Sequence, residues 1–297
     1  MVMILLVRHG ESTANVGGVL AGRTPGVELT PAGVRQARAL GGYVPTDRLV
    51  LVHRSPLHRC IQTAELFLEG FAGGAPEVVE DPDLVEIDYG AWTGRKVTEL
   101  TDEPLWKTVR STPSQAVFPE GEGLAVASTR AIAAFDRAVG LLREDAARLK
   151  AEHERRAAEA KVATVAGSEP DGQSTASERA GSAGEKPKPP PPSVGVLVSH
   201  GDVIKAILAH ALGMPLDEFQ RLAVAPGSFS CIHVPDEGAP TVTAMSVTVP
   251  LPSEPVAETT SGSATADAGA GGQGASGARE VSGRSRTAEP GVIGGGV

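Results

Sequence analysis

The amino-acid sequence predicts an α/β fold built around a mainly parallel sheet. Three observations support this prediction: strand-like apolar runs alternate with stretches of helical periodicity, helix-start signals stand between them, and two of the apolar runs end in the same dipeptide, His-Gly. Alternating strands and helices are typical of α/β domains. In such sheets ligands bind beyond the carboxyl ends of the strands, so we expect a functional site where these two runs end.

The first predicted strand is the apolar run at residues 4–7, which leads directly into Arg8 and His9. A helix is predicted further along the chain. Its start is marked by Thr30, a good N-cap residue, and by Pro31, which suits the first helical position. The sequence therefore places two polar side chains at a strand end and a helix soon after it.

The second predicted strand covers residues 49–55 and is followed by a second helix. Ser55 and Pro56 repeat the start signal of the first helix, so we expect the second helix to begin there. The apolar residues that follow recur at helical spacing; they are Leu57, Cys60, Ile61, Ala64 and Phe67.

A long helix is predicted over residues 125–161. Its first half carries an apolar stripe, whereas from about Glu152 it consists almost only of Ala, Glu, Arg and Lys. We expect this second half to project into solvent. The composition then changes to a stretch with a proline run and few core-forming residues, at about 163–193. Such a composition favours extended, unpacked chain, and we interpret it as a disordered insertion.

Folded character returns after this insertion. Residues 194–213 predict a strand that ends at His200, a turn and a helix closed by Gly213. Two further strands are predicted at 229–234 and 241–249. The strand that ends at His200 is the second of the two apolar runs that lead into His-Gly.

The predicted organisation is one folded domain over residues 1–250, interrupted by the insertion, and a disordered tail over 251–297.

The net charge of the 297-residue chain is -9, which argues against a general nucleic-acid binder. No apolar run reaches the roughly 18 residues of a membrane span, so we expect no membrane partner. Cys60 and Cys231 are expected to be free thiols, because we see no secretion signal, and the protein is expected to be cytoplasmic.

Basic side chains are predicted to meet at one edge of the sheet. Arg8 and His9 follow the first strand, and Arg59 lies in the first turn of the second helix. His200 follows a later strand. Guanidinium groups and imidazoles together suit a phosphate dianion. Neutral imidazole is a competent nucleophile toward phosphorus, and neighbouring arginines lower its pKa from the usual value of about 6.5.

A phosphoryl transfer also needs a proton donor. Glu86 and Asp88 are both candidates, because a carboxyl group close to a bound phosphate should have a raised pKa. From the residues alone, the choice between them stays open. No metal site is predicted: His53 and His58 lie near Cys60, but no fourth ligand is spaced to complete the set.

Four segments of the chain resemble the histidine phosphatase superfamily, in its phosphoglycerate mutase-like branch. They are RHGESTAN at 8–15, SPLHRCIQTAE at 55–65, VEIDYGAWTG at 85–94 and VSHGDVIKAIL at 198–208, in the order that is typical of the family. The resemblance implies a three-layer α/β/α sandwich. The insertion-bearing form is also similar to actinobacterial proteins described as phosphomutases or phosphatases.

The resemblance implies roles for individual residues. His9 would carry a phosphohistidine intermediate, while Arg8, Arg59 and His200 would hold the phosphoryl oxygens. Glu86, rather than Asp88, matches the proton donor of the family.

The same resemblance implies a set of substrate ligands. Asn15 matches a phosphate or substrate ligand of the first segment, and Ser12 and Arg23 are further candidates for that role. Arg8, Arg59 and His200 belong to the same set. No cofactor and no metal ion is implied.

Hydrolysis is the favoured reaction, on a small phosphorylated metabolite. Mutases of this family carry extra basic residues after the segment that holds the acid, here residues 85–94 and called the acid segment below. Residues 96–123 contain no adjacent arginine pair, and Lys96 and Lys107 do not fall at the expected interval. Phosphomutase activity is the alternative. A third hypothesis is an inactive scaffold that binds phosphate ligands and uses its low-complexity segments for partners. We read no motif for a particular substrate or oligomeric state.

Overall fold

The structure is a computed structural model of the chain, and it describes residues 1–43, 48–71, 74–166 and 192–251. The predicted tail lies outside the described residues apart from Leu251. The predicted insertion at about 163–193 also lies largely outside them. At its two ends, residues 163–166 still belong to a helix and Ser193 already begins a strand.

The described residues form a mixed sheet and its flanking helices. The strands are β1 Val2–Arg8, β2 Leu49–Arg54, β3 Val78–Glu80, β4 Ser193–Ser199, β5 Ser228–Val234 and β6 Thr241–Thr248. The α-helices are α1 Thr13–Val16, α2 Pro31–Gly41, α3 His58–Leu68, α4 Val97–Leu100, α5 Pro104–Ser111, α6 Leu124–Ala166 and α7 Gly201–Ala211. Short 3-10 helices occur at Pro82–Leu84, Gly90–Trp92, Pro113–Gln115 and Leu216–Arg221.

The strand order of the sheet is β3-β2-β4-β1-β5-β6. The first four strands are parallel to each other, and β5 and β6 run antiparallel at one edge. Every residue of β1 and β4 is buried, as expected for central strands covered on both faces. The prediction of an α/β fold with a mainly parallel sheet is confirmed.

Helices cover both faces of the sheet. On one face, α6 and α7 pack against Ile4 and Leu6 of β1; on the other, α2 and α3 pack against Leu5 and Val7. Because successive side chains of a strand point to opposite faces, a single strand contributes to both hydrophobic clusters. The three-layer α/β/α arrangement is therefore present.

Of the two helix starts predicted from the sequence, at Thr30 and at Ser55, one is confirmed and one is wrong. Thr30 caps α2 as predicted, because its hydroxyl accepts a hydrogen bond from the Gly33 amide at 3.0 Å. The predicted start of the next helix at Ser55 and Pro56 is wrong, since α3 begins at His58 without a side-chain cap. The Ser55 hydroxyl instead lies 2.8 Å from a ring nitrogen of His200.

Helix α6 is close to its predicted range and has the predicted two halves. Its first half packs on the sheet and on α7 through small and apolar side chains, whereas residues 152–159 are mostly exposed. No described helix is both long and apolar enough to cross a membrane.

Candidate active site

His9 is the first residue beyond β1, and the loop that carries it is held on several sides. Its amide donates to the carbonyl of Ser199 at 3.0 Å, and its carbonyl accepts from the Gly227 amide at 2.9 Å. The ring nitrogen Nδ1 lies 2.8 Å from the carbonyl oxygen of Gly10. Because a carbonyl can only accept, Nδ1 carries the proton and Nε2 keeps its lone pair.

The His9 ring is neutral in this environment. The side chain is buried, and burial lowers its pKa well below the usual value, with the charges of Arg59 and Arg8 acting in the same direction. A neutral ring with a fixed Nδ1 proton presents Nε2 as its nucleophilic atom.

Helices α2 and α3 fix the backbone after His9. The Gly10 amide donates to the Thr63 hydroxyl at 3.1 Å, and that hydroxyl donates to the Arg59 carbonyl at 2.7 Å. Gly10 also touches α2 so closely that an added Cβ would lie 2.4 Å from the Gly33 carbonyl oxygen. The close approach explains why this position has no side chain.

His200 follows β4, which neighbours β1 in the sheet, so the two histidines lie side by side. Their ring centroids are 5.3 Å apart and their planes are tilted by 59°. Nε2 of His200 lies 2.8 Å from the Ser55 hydroxyl, and Nδ1 lies 3.1 Å from Nη2 of Arg59. Since a guanidinium can only donate, Nδ1 is the acceptor and Nε2 carries the proton. Burial, followed by the charge of Arg59, lowers the pKa of His200 well below its usual value.

Two buried arginines supply positive charge. Arg59 donates from Nη2 to the Gly22 carbonyl at 2.9 Å, while its buried Nη1 has no hydrogen-bond partner among the described residues. Arg8 donates from Nη1 to the Val224 carbonyl at 2.5 Å. Burial lowers the pKa of Arg8 to about 10, so this group remains cationic at neutral pH. A buried donor without a partner is suited to an anionic ligand.

Glu86 lies beside this basic group and is almost fully buried. Its Oε1 accepts from the Ile87 amide at 3.0 Å, and its Oε2 is 3.9 Å from Nδ1 of His200. Burial and the nearby carboxylate of Asp202 raise the pKa of Glu86 to about 7, although Arg59 acts in the opposite direction. A carboxyl group with this pKa can both donate and accept a proton near neutral pH.

The rival acid lies elsewhere. Asp88 accepts from the Gly90 amide at 3.0 Å and is 3.7 Å from Arg23, with a side chain that is 40% exposed. It does not line the cleft at His9. The structure therefore brings Glu86, and not Asp88, next to the two histidines.

The three predicted substrate ligands fall into two groups. Ser12 and Asn15 line the cleft and form a capping box at the start of α1, with the Ser12 hydroxyl 2.9 Å from Oδ1 of Asn15. Arg23 is not part of the cleft lining. It donates instead to the Glu86 carbonyl at 3.0 Å and to Glu122 at 2.9 Å, which places it behind the acid segment. The contact between Arg23 and substrate stays a prediction.

The cleft has a volume of about 420 Å³, including the part open to solvent. Its polar lining residues are His9, Ser12, Asn15, Arg59, Glu86 and Tyr89. The full lining consists of His9, Ser12, Ala14, Asn15, Gly18, Val19, Leu20, Ala21, Gly22, Arg59, Glu86, Tyr89 and Val97.

A set of hydrogen bonds from Arg130 to the backbone of residues 83–86 was not predicted from the sequence. Arg130 of α6 donates to the carbonyls of Asp83 at 2.9 Å, Val85 at 2.6 Å and Glu86 at 3.2 Å. It also pairs with Glu122 at 2.6 Å. The only signal in the sequence is a charged residue in the apolar half of the long helix.

A second unpredicted cluster lies behind Glu86. The Tyr89 hydroxyl donates to Oδ2 of Asp202 at 2.9 Å, and Lys205 pairs with Oδ1 of Asp202 at 2.7 Å. Lys205 also donates to Gln220 at 2.8 Å. All four side chains are buried. The signal for this cluster is two charged residues in the otherwise apolar α7.

The described residues contain no group of three or more His, Cys, Asp or Glu side chains arranged to hold a metal ion. Cys60 lies under His200, with its sulfur 3.5 Å from Nε2, and burial raises the pKa of this thiol to about 12. Both Cys60 and Cys231 are free thiols.

Comparisons with known proteins agree with this geometry. The profile of the Histidine phosphatase superfamily (branch 1) matches residues 4–154 and 138–248. A protein named probable phosphoglycerate mutase GpmB from Proteus mirabilis is 32% identical over 144 residues, which are 48% of this chain and 65% of that protein. Phosphoserine phosphatase 1 from Hydrogenobacter thermophilus is 32% identical over 147 residues, 48% of this chain and 64% of that protein.

The chain thus spans less than two thirds of the length of these two relatives. A solved structure of mycobacterial glucosyl-3-phosphoglycerate phosphatase with VO3 has a TM-score of 0.60 at 20% identity, covering 84% of this chain and all of that one, which shows a shared fold. With a family profile that matches most of the chain, the protein belongs to the histidine phosphatase superfamily, branch 1.

Proposed function

We propose that the protein is a phosphomonoester hydrolase that acts on a small phosphorylated metabolite through a covalent phosphohistidine on His9. One observation carries the proposal: a neutral imidazole with a fixed Nδ1 proton lies among two guanidinium groups, and Arg59 keeps a buried donor without a hydrogen-bond partner among the described residues. The positive charge for catalysis comes from arginine, so the reaction as proposed uses no metal ion and no cofactor.

Arg8, Arg59 and His200 hold the phosphoryl group in this proposal. The free Nη1 donor of Arg59 accounts for one phosphoryl oxygen, and the guanidinium of Arg8 adds charge next to His9. Preorganised donors of this kind contribute a factor of roughly 10² to 10³ each to the rate. Asn15 and Ser12 complete the substrate-binding side of the cleft, whereas Arg23 supports the acid segment.

In the first step, Nε2 of His9 attacks phosphorus and forms a P–N bond while the P–O bond to the alcohol breaks. Glu86 gives its proton to the departing oxygen, so the alcohol leaves neutral. In the second step, Glu86 takes a proton from water, the resulting hydroxyl attacks phosphorus, and the P–N bond breaks. Inorganic phosphate leaves and His9 and Glu86 regain their starting forms.

The proposal is tested with p-nitrophenyl phosphate. We expect acid-labile phosphate on the quenched wild-type protein and loss of both labelling and turnover in His9→Ala. His153→Ala, which changes an exposed histidine in the outer half of α6, is the matched control and should keep both. Turnover by His9→Ala at the wild-type rate would refute the mechanism.

Phosphomutase activity is the second candidate, because one of the relatives carries the name of a phosphoglycerate mutase. It differs from hydrolysis in the fate of the phosphoryl group, which returns to a substrate hydroxyl instead of passing to water. Isomer interconversion with little free phosphate would favour it. An inactive scaffold would bind phosphate ligands without turnover. Turnover that depends on Glu86 would exclude the scaffold hypothesis.

We further propose that the protein works in the cytoplasm and has no nucleic-acid partner. Its net charge of -9 and its two free, buried cysteines support this proposal. Cell fractionation with an antibody tests the location directly.

A further inference from the structure

The cleft at His9 has two chemically different ends. Its inner end carries the imidazole of His9, the guanidinium of Arg59 and the carboxyl of Glu86. The remaining wall is made mainly of glycine and aliphatic residues. Its polar members are Ser12 and Asn15, which are bonded to each other, and Tyr89, whose hydroxyl is bonded to Asp202. The aliphatic members are Ala14, Val19, Leu20, Ala21 and Val97.

Two paired backbone segments build much of this apolar wall. Residues 18–22 and 94–97 exchange hydrogen bonds: the amide of Leu20 donates to Arg95 at 2.9 Å, and the amide of Val97 donates to Gly18 at 2.9 Å. A bridge between Val19 and Lys96 joins the same segments. The pairing fixes which side chains line the cleft, so its apolar character is a built feature of the site.

The basic residues near this wall are engaged elsewhere or lie outside the cleft. Arg23 is bonded to the Glu86 carbonyl and to Glu122, and Arg95 is paired with Glu103 at 2.6 Å. Lys96 is exposed and does not line the cleft. Within the described part of the chain, Arg59 is therefore the only cationic side chain on the cleft wall, and the proposed mechanism assigns it to the phosphoryl group.

From this arrangement we infer that the alcohol part of the substrate is uncharged and apolar. The inference rests on the proposed function and adds the substrate class to it. A carboxylate on the alcohol part would lose hydration against Val19 and Val97 without gaining a cation, and an ammonium group would likewise find no anionic partner there except Glu86, which is needed as the acid. An unpaired charge of this kind lowers affinity by at least about tenfold.

Three alkyl phosphates of similar length test the inference. They are n-propyl phosphate, 3-phosphooxypropanoate and phosphoethanolamine, which differ at the far end of the alcohol by having no charge, a negative charge and a positive charge. We expect kcat/KM for n-propyl phosphate to be at least about tenfold higher than for either charged compound. Their inhibition constants against p-nitrophenyl phosphate should follow the same order. A preference below tenfold, or any preference for a charged compound, overturns the inference.

A variant of the wall provides the converse test. Val97→Lys should raise kcat/KM for 3-phosphooxypropanoate relative to n-propyl phosphate by at least about tenfold, because the carboxylate then gains a partner. Val97→Met adds length without charge, and Val126→Lys adds the same charge on an exposed site of α6. Both controls should leave the ratio unchanged. An unchanged ratio in Val97→Lys would refute the assignment of this wall to the alcohol.

The proposed function and the proposed substrate class can be refuted separately. If hydrolysis of p-nitrophenyl phosphate does not depend on His9, the proposed function is wrong. If it depends on His9 but a charged alkyl phosphate competes as well as n-propyl phosphate, the function stands and the substrate class is wrong.

Discussion

At the scale of single residues, the site depends on groups that are kept uncharged by burial. His9 and His200 are neutral because burial and two guanidinium groups disfavour the protonated rings. Glu86 keeps its proton for the related reason that burial and the Asp202 carboxylate disfavour a second negative charge. The proposed nucleophile, His9, is thus ready without deprotonation, and the proposed acid, Glu86, carries its own proton below about pH 7.

The raised pKa of Glu86 has a consequence for stability. The folded state holds this proton up to about pH 7, whereas the unfolded chain releases it near 4.5, so stability falls as pH rises through this window. Glu86→Gln removes the ionisation. We expect the variant to lose activity by about 10² to 10⁴-fold and to gain stability over the wild type at pH 8 but not at pH 4. Thermal unfolding at the two pH values measures this; an equal difference at both would contradict it.

Asp202 sets the proton affinity of Glu86 from behind. In the wild type, kcat/KM should fall as pH rises through about 7, because the acid form of Glu86 is lost. Asp202→Asn removes a negative charge near Glu86, so this fall should move to lower pH. Asp236→Asn, which changes an exposed carboxylate, serves as the control and should keep the wild-type profile. Identical profiles for all three proteins would exclude the proposed influence of Asp202.

At the scale of elements, α6 holds the acid segment in place. Arg130 donates hydrogen bonds to the carbonyls of Asp83, Val85 and Glu86. Glu122, two residues before the helix, also pairs with Arg130. The helix thereby positions a side chain that it does not itself carry.

Arg130→Met should therefore act on the chemical step. We expect kcat to fall by at least about tenfold with KM changed much less, because Glu86 is displaced while the arginines of the phosphoryl site remain. Arg155→Met changes an exposed arginine in the outer half of the same helix and should leave both constants alone. Steady-state kinetics on p-nitrophenyl phosphate decides, and a change confined to KM would contradict the positioning role.

The contact between α2 and the loop after β1 is a second requirement at this scale. At Gly33 an added Cβ would lie 2.1 Å from the carbonyl oxygen of Glu11. This oxygen belongs to the backbone, so it cannot move aside as the end of a flexible side chain could. Gly33→Ala should destabilise the protein by roughly 1–3 kcal/mol and reduce activity by displacing the His9 loop. Gly140→Ala, at an open position of α6, should instead stabilise by about 0.5–1 kcal/mol. Chemical denaturation compares the two, and equal effects would show that the close contact does not matter.

At the scale of the whole molecule, the sequence predicted those features that depend on local pattern. His9 and His200 are predicted as site residues because each follows an apolar run, and Arg59 because it lies in the first turn of a helix. Ser55 was misread as a helix start, since nothing local shows that its hydroxyl is bonded to a ring 145 residues away. Arg130 was missed for the same reason: its partners lie 44 to 47 residues earlier in the chain, and only folding reveals them.

The folded domain should also tolerate a break in its chain. Residues 167–191 were predicted to lie in an insertion without a role in the core, while β4 beyond them pairs with β1 over seven residues and with β2. We expect limited trypsin digestion at Arg179 to give two fragments that stay together on gel filtration and keep most of the activity. Separation of the fragments, or loss of activity upon cleavage, would contradict this prediction.

The position of β4 has a consequence for the newly made protein. This strand lies between β1 and β2, yet the ribosome makes it roughly 140 residues after β2. Until β4 has been made, β1 has neither of its neighbours, because β5 also follows β4 in the chain, whereas β2 can pair only with β3. His200 directly follows β4, so the proposed site can form only late in translation.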